Sequence, residues 1–197
     1  MQRSQPRIRV SLAALALSGA ILAALAAGPR AGQAQTTGLT PLSDLGAGLY
    51  HGFPGGLYPG GVNTPPAVHM TAALAAAAQV VPRDASGAPD PAGWIGMIAV
   101  GMSNTTHEFG AFERNADADP TRDARVVLMD TGFGGQTATI IANPAAAYWT
   151  TMNQRIAAMG LTPAQVQVAW LKEAEAQPPN NFPLHAQALR DTLKKVV

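Results

Sequence analysis

Two short runs carry residue types that could do chemistry. The first is Gly101-Met102-Ser103-Asn104, at the end of the apolar stretch WIGMIAVG. A serine where a buried strand turns into a helix projects its hydroxyl above the sheet edge. Its own N–H sits at a helix N-terminus, where the dipole favours a developing negative charge. Those are requirements of an acyl-transfer nucleophile. The run Ser103-Asn104-Thr105-Thr106 suits helix capping equally well, because such side chains accept hydrogen bonds from the first N–H groups of a helix. The hydrolase elbow G-x-S-x-G is not met, since position 105 is threonine. The second run is Asp130 to Thr137, DTGFGGQT. Glycines after a strand let backbone N–H groups approach a ligand closely, as an oxyanion hole or a phosphate loop requires, and they also permit a tight turn. The absence of G-x-x-x-x-G-K-[ST] argues against the phosphate loop.

A serine needs a base. The four histidines are His51, His69, His107 and His185. His107 follows Ser103 by four residues, which puts both on one helix face, but both side chains tilt toward the helix N-terminus, and an exposed helix histidine is the plainer reading. No spacing of the H-E-x-x-H kind occurs, so neither a metal nor a cofactor is expected. Trp94, Trp149 and Trp170 lie in or beside apolar runs and read as core.

The elements that must position these runs follow from the apolar pattern. Residues 35–65 are punctuated by glycine and proline and read as an ordered loop without strand or helix. Its segment GGLYPGGVN, with Tyr58 and Asn63, is a candidate for shaping a substrate site. A helix is predicted from Thr64 to Val80, opened by two prolines and rich in alanine. Strands are predicted at WIGMIAVG, RVVLMD and VQVAWL, apolar throughout as in strands buried on both faces. Helices are predicted near residues 104–116, at 145–159 and from 183 to the end. Alternation of this kind implies βαβ units and a parallel sheet covered by helices on both faces, with chemistry collected at the carboxyl ends of the strands.

Residues 1–34 read as a signal peptide: MQRSQPRIRV is a charged start, an alanine-rich apolar run follows, and Gly32 and Ala34 are small residues at the cleavage positions. The chain is therefore expected to be secreted or periplasmic. Residues 35–197 are expected to form one domain. Arg3, Arg7, Arg9 and Arg30 leave with the signal, so nine of the thirteen basic residues face twelve acidic ones, and the formal charge turns from +1 to −3. No basic stripe interleaved with aromatics remains, which speaks against nucleic-acid binding. There is no cysteine, so disulfides and thiolate catalysis are absent.

VGMSN followed one βα unit later by GGQT resembles the SGNH (GDSL-like) hydrolases, in particular a bacterial exported group of uncertain substrate. The resemblance covers most of residues 42–191. It implies a flavodoxin-like three-layer α/β/α fold, Ser103 as catalytic nucleophile, and an oxyanion hole built from the N–H groups of Ser103 and Gly135. Met102 stands where aspartate is usual. The third block of the family carries an asparagine, whereas Lys172-Glu173-Ala174-Glu175 follows VQVAWL here, with no asparagine before Asn180 and Asn181. The closing Asp-x-x-His block has no match. Three strands are read where the resembling fold has about five. A C-terminal part is therefore expected to be missing. The implied activity is an esterase or deacylase acting on an ester or acetyl group, on carbohydrate by family analogy, with no membrane partner beyond the signal. The alternative is a non-catalytic exported binding protein on the same fold.

Cleavage after Ala34 predicts a mature N-terminus at Gln35. Edman sequencing of exported material checks it, and an intact Met1 refutes it.

Overall fold

The computed structural model describes residues 38–177 and 181–197. The expected signal peptide lies outside the described residues. The chain divides into two units, Met1–Pro65 and Pro66–Val197. In the first, helix α1 spans Leu42–Leu45 and a hairpin joins β1 (Leu49–Tyr50) to β2 (Phe53–Pro54). This corrects the reading of residues 35–65 as free of regular structure. The turn is His51-Gly52, with φ of 50° and 84°. Positive φ at both central residues is what a two-residue hairpin with matching twist needs. Glycine supplies it without strain, and histidine is a rare residue to do so.

In the second unit, helix α2 (Ala67–Ala77) follows Pro66 and buries none of its residues. Then come β3 (Ile95–Gly101), α3 (Ser103–Asp117), β4 (Val126–Met129), the short α4 (Ala138–Ile141), α5 (Ala147–Ala158), β5 (Val166–Lys172) and α6 (Leu184–Val196). The expected alternation is present, and α4 is an element the sequence reading did not separate. The three strands form a parallel sheet in the order β4-β3-β5. The protein is thus α/β, with helices on both faces. Ile98 and Val100 point to one face and pack with Met129, Ile141, Tyr148, Ile156 and Leu161. Ala99 points to the other and packs with Phe109 and Leu128. This is strand alternation applied to a strand buried on both sides, and it explains why β3 reads as an unbroken apolar run. Trp149 and Trp170 pack against these clusters, but Trp94 precedes β3 and is 42% exposed, so its core assignment is corrected. Among the described residues, no helix is long and apolar enough to cross a membrane.

The chain leaves β3 for β4 on one side and later returns to β5 on the other. The crevice between the carboxyl ends of β3 and β5 is therefore the point where the winding direction changes, which is where open α/β sheets bind ligands. The two neighbours of β3 end at different heights. Pairing with β4 stops at Ile98↔Met129, whereas pairing with β5 runs on to Gly101↔Lys172. Three residues of β3 are left without β4 at their side.

Gly101 closes the strand because nothing larger fits. A Cβ there would collide with the Lys172 carbonyl and the Thr105 side chain. The buried Thr105 hydroxyl donates to Lys172 O at 2.6 Å, tying the first turn of α3 to the end of β5. Gly101→Ala should therefore lower stability by about 3 kcal/mol, an overpacking cost with backbone on one side of the clash. Urea unfolding measures it, and an unchanged midpoint would mean that β5 does not press on Gly101.

Candidate functional site

Ser103 is the first residue of α3. Met102 is the N-cap, with extended backbone (φ −82°, ψ −169°) and no side-chain capping bond. The capping reading of Ser103 is thus not the arrangement found. Asn104 performs a local version, its Oδ1 accepting the Thr105 N–H at 2.9 Å. Helix geometry leaves the N–H groups of Ser103 and Asn104 without backbone acceptors. The Ser103 side chain is exposed, and among the described residues no hydrogen bond engages its hydroxyl. An exposed hydroxyl beside unengaged helix N–H groups can meet a carbonyl ligand.

Residues 131–139 form a strap from the end of β4 across the end of β3 to the segment after β5. Its near half replaces the missing upper part of β4. The Thr131 hydroxyl donates to Ala99 O at 2.5 Å, and the Phe133 N–H donates to Gly101 O at 3.1 Å. Gly132 N–H donates to Asp130 Oδ1 at 3.1 Å. Arg155 clamps this half from α5, with Nη1 donating to Gly132 O at 2.6 Å and Asp130 O at 3.2 Å. Its guanidinium lies 5.1 Å from the centre of the Phe133 ring. The strap then passes Ser103: a Cβ on Gly134 would lie 3.9 Å from the serine Cβ. Gly135 follows with φ of 77° in open space. Ser103 and the Gly134-Gly135 turn, nominated separately from sequence, are therefore neighbours. The strap's far foot rests beyond β5, where the Ala138 N–H donates to Ala174 O at 3.2 Å. The Thr139 N–H and hydroxyl both donate to Glu175 Oε1 at 2.8 Å.

Two residues beneath the strap were not singled out from sequence. Tyr148 is buried, stacked 5.0 Å from Phe133, and its hydroxyl accepts the Gly101 N–H at 3.3 Å. Burial pushes its phenol up to about 12, so it stays protonated. It read as one more apolar residue of a helix, and only the sheet neighbour reveals the hydroxyl's role. Glu173 stands one residue past the Gly101↔Lys172 pair. Burial first, and repulsion from Glu175 after it, push its carboxyl up to about 7, against the bond from the Ala174 N–H that pulls it down. Among the described residues its enclosed Oε1 has no hydrogen-bond partner. A signal was present: Glu173 is an acidic residue at the carboxyl end of a strand. Lys172 pairs with Glu108 on α3, leaving Glu173 for the opposite face by strand alternation.

The other nominated residues lie elsewhere in the chain. His107 is exposed on α3, and no hydrogen bond joins it to Ser103 among the described residues. His69 lies on α2 and His185 on α6. Tyr58 and Asn63 belong to the first unit. Asn63 accepts the Leu57 N–H at 3.3 Å and donates to Ser43 O at 2.9 Å, so its amide fastens its own loop. Tyr58 is half-buried, and its N–H donates to Val62 O at 2.9 Å. Among the described residues, no group of three histidines or carboxylates is placed to hold a metal ion.

No family model, curated protein or solved structure matches the chain.

Arg155→Met keeps the stem and removes the clamp. With two carbonyls losing a charged donor, it should cost about 2 kcal/mol. It should also speed amide exchange at Phe133 ahead of the rest of the unit. Denaturant titration with hydrogen exchange reads both, and unchanged Phe133 protection would mean that Arg155 does not hold the strap.

Proposed function

We propose that the protein is an exported serine esterase or deacylase of the SGNH type, acting on an ester or acetyl group carried by a small molecule or carbohydrate. The observation that carries this reading is the placement of Ser103. It leads α3 at the carboxyl end of the central strand, unused as a cap and alongside the Gly134-Gly135 turn. The strand order β4-β3-β5 supports it, being the 2-1-3 order with which flavodoxin-like sheets begin, with the ligand crevice between the first and third strands. In this reading the Ser103 oxygen bonds to the acyl carbon, and the alcohol leaves with the serine's proton. Water then releases the acid and restores the hydroxyl. The backbone N–H groups of Ser103 and Gly135 hold the negative oxygen formed on the way.

A second reading is a non-catalytic exported binding protein with the same crevice. Met102, which offers no carboxylate, favours it, as does the lack, among the described residues, of a histidine bonded to Ser103.

The test is hydrolysis of p-nitrophenyl acetate and acetylated xylo-oligosaccharides by the secreted protein and its Ser103→Ala variant. Nucleophilic catalysis predicts a fall of at least about a hundredfold in kcat/KM for the variant. Equal rates in the two proteins exclude the hydrolase reading. Retained binding of the acetylated sugar in both would then establish the second.

A further inference from the structure

The strap is fastened unevenly. Its near half is held by four groups: the Thr131 hydroxyl, the Phe133 N–H, Asp130 and Arg155. A Cβ on Gly134 would meet only the Ser103 side chain within 4 Å, and a Cβ on Gly135 would meet nothing. The foot rests on Ala174 and Glu175, the residues directly after Glu173. A bolted half and a two-glycine joint thus precede a foot that enters the buried start of α4, so the joint is the part of the strap free to shift.

Glu173 lies where the foot is seated. Its Oε2 accepts the Ala174 N–H at 3.2 Å, and its enclosed Oε1 has no partner. We propose that Glu173 is the positioning residue of this strap: while its carboxyl is neutral the foot stays firmly seated, and when it ionises the seat loosens and the Gly134-Gly135 joint shifts away from Ser103. An enclosed carboxylate oxygen with no donor is costly, and water is the donor nearest to hand. Admitting water requires the neighbouring segment to move. The groups that act on this carboxyl leave it no cation. Glu175, on its own segment, repels it, and among the described residues the Ala174 N–H is its one donor. From α5 comes Tyr148, neutral to about 12, with Arg155 beyond it bonded to strap carbonyls. Lys172 is paired with Glu108 on α3.

Burial and Glu175 hold this carboxyl at about 7, above its ordinary value of 4.5. The folded state therefore binds the proton more tightly than the unfolded chain. Its stabilising effect is complete below the ordinary value and is lost as pH rises through about 7. The loosening of the seat is argued without the hydrolase reading. Only its consequence for the oxyanion rests on the hydrolase reading.

The experiment is hydrogen exchange of the secreted protein and of Glu173→Gln at about pH 6 and about pH 8.5, corrected for intrinsic pH dependence. At the lower pH the two proteins should protect residues 134–139 equally. At the higher pH the wild type should lose about tenfold in protection there, with β3 unchanged, while the neutral glutamine keeps the foot seated. Wild-type strap protection that does not change with pH overturns the proposal, whether or not the variant folds. Loss spread over β3 as well overturns it too, since Glu173 would then support the fold generally. A parallel arm follows labelling of Ser103 by a fluorophosphonate. Labelling should fall above about pH 7 in the wild type and persist in Glu173→Gln. If the strap responds to pH but Ser103 is never labelled, the positioning role stands and the hydrolase reading falls.

Discussion

The arrangement depends on the missing side chain at Gly101. Because no Cβ is there, the Lys172 carbonyl can close on the end of β3 from one side and Thr105 from above. The Thr105 hydroxyl then bonds that carbonyl, so strand, neighbouring strand and helix start are locked at one point. Tyr148 reaches the same residue from the opposite layer through the Gly101 N–H. One glycine thus receives contacts from β5, α3 and α5. The direction in which α3 leaves the sheet, and with it the position of Ser103, is set there. Removing a bulky residue from a core leaves a cavity into which neighbours partly relax. Adding one at this node has no such outlet, because part of what it meets is backbone.

The shortness of β4 is the second constraint. Backbone carbonyls on the open side of β3 need donors once pairing stops at Met129. Thr131 and Phe133 supply them at Ala99 and Gly101. To do so, the chain must bend over the sheet rather than run straight past it, and the Gly134-Gly135 turn completes the crossing. The proximity of the turn to Ser103 is therefore a by-product of satisfying two carbonyls. The crossing also seats its far end on Ala174 and Glu175, and burial beside that seat raises the Glu173 carboxyl. A carboxyl with the same sequence neighbours on an open edge would be solvated and ordinary.

How much of this was legible in the sequence divides along the same lines. Strands buried on both faces announce themselves as unbroken apolar runs, so β3, β4 and β5 could be read directly, and the residues following them with equal ease. Ser103 and Gly135 are nominated for that reason. The order β4-β3-β5 was not legible, because it depends on which side of β3 each crossover falls. The meeting of Ser103 with Gly134 was not legible either, since it needs the strap to cross, and the crossing depends on the length of β4. Tyr148 and Arg155 sit in an ordinary helical pattern, and their polar ends matter only once the sheet and strap are beside them. The hairpin at His51-Gly52 escaped notice because its turn lacks the Asn-Gly or Asp-Gly signature.

The start of α3 shows where local preference has been set aside. A serine, threonine or aspartate at the N-cap would accept the N–H groups of the first turn and stabilise the helix by about 1 kcal/mol relative to an apolar residue. Methionine occupies that position, and the residues suited to capping lie just after it. Asn104 recovers part of the loss by accepting the Thr105 N–H, and Thr105 is committed to the β5 carbonyl. Among the described residues, what remains at the tip is a serine hydroxyl and two N–H groups without an acceptor. Local rules are expected to give way where a site must keep hydrogen-bonding capacity for something other than the protein itself. Moving the capping residues one position earlier would make a better helix and consume that capacity. The physical case for a site at Ser103 therefore rests less on the serine itself, a common helix-start residue, than on the methionine that leaves the first turn uncapped.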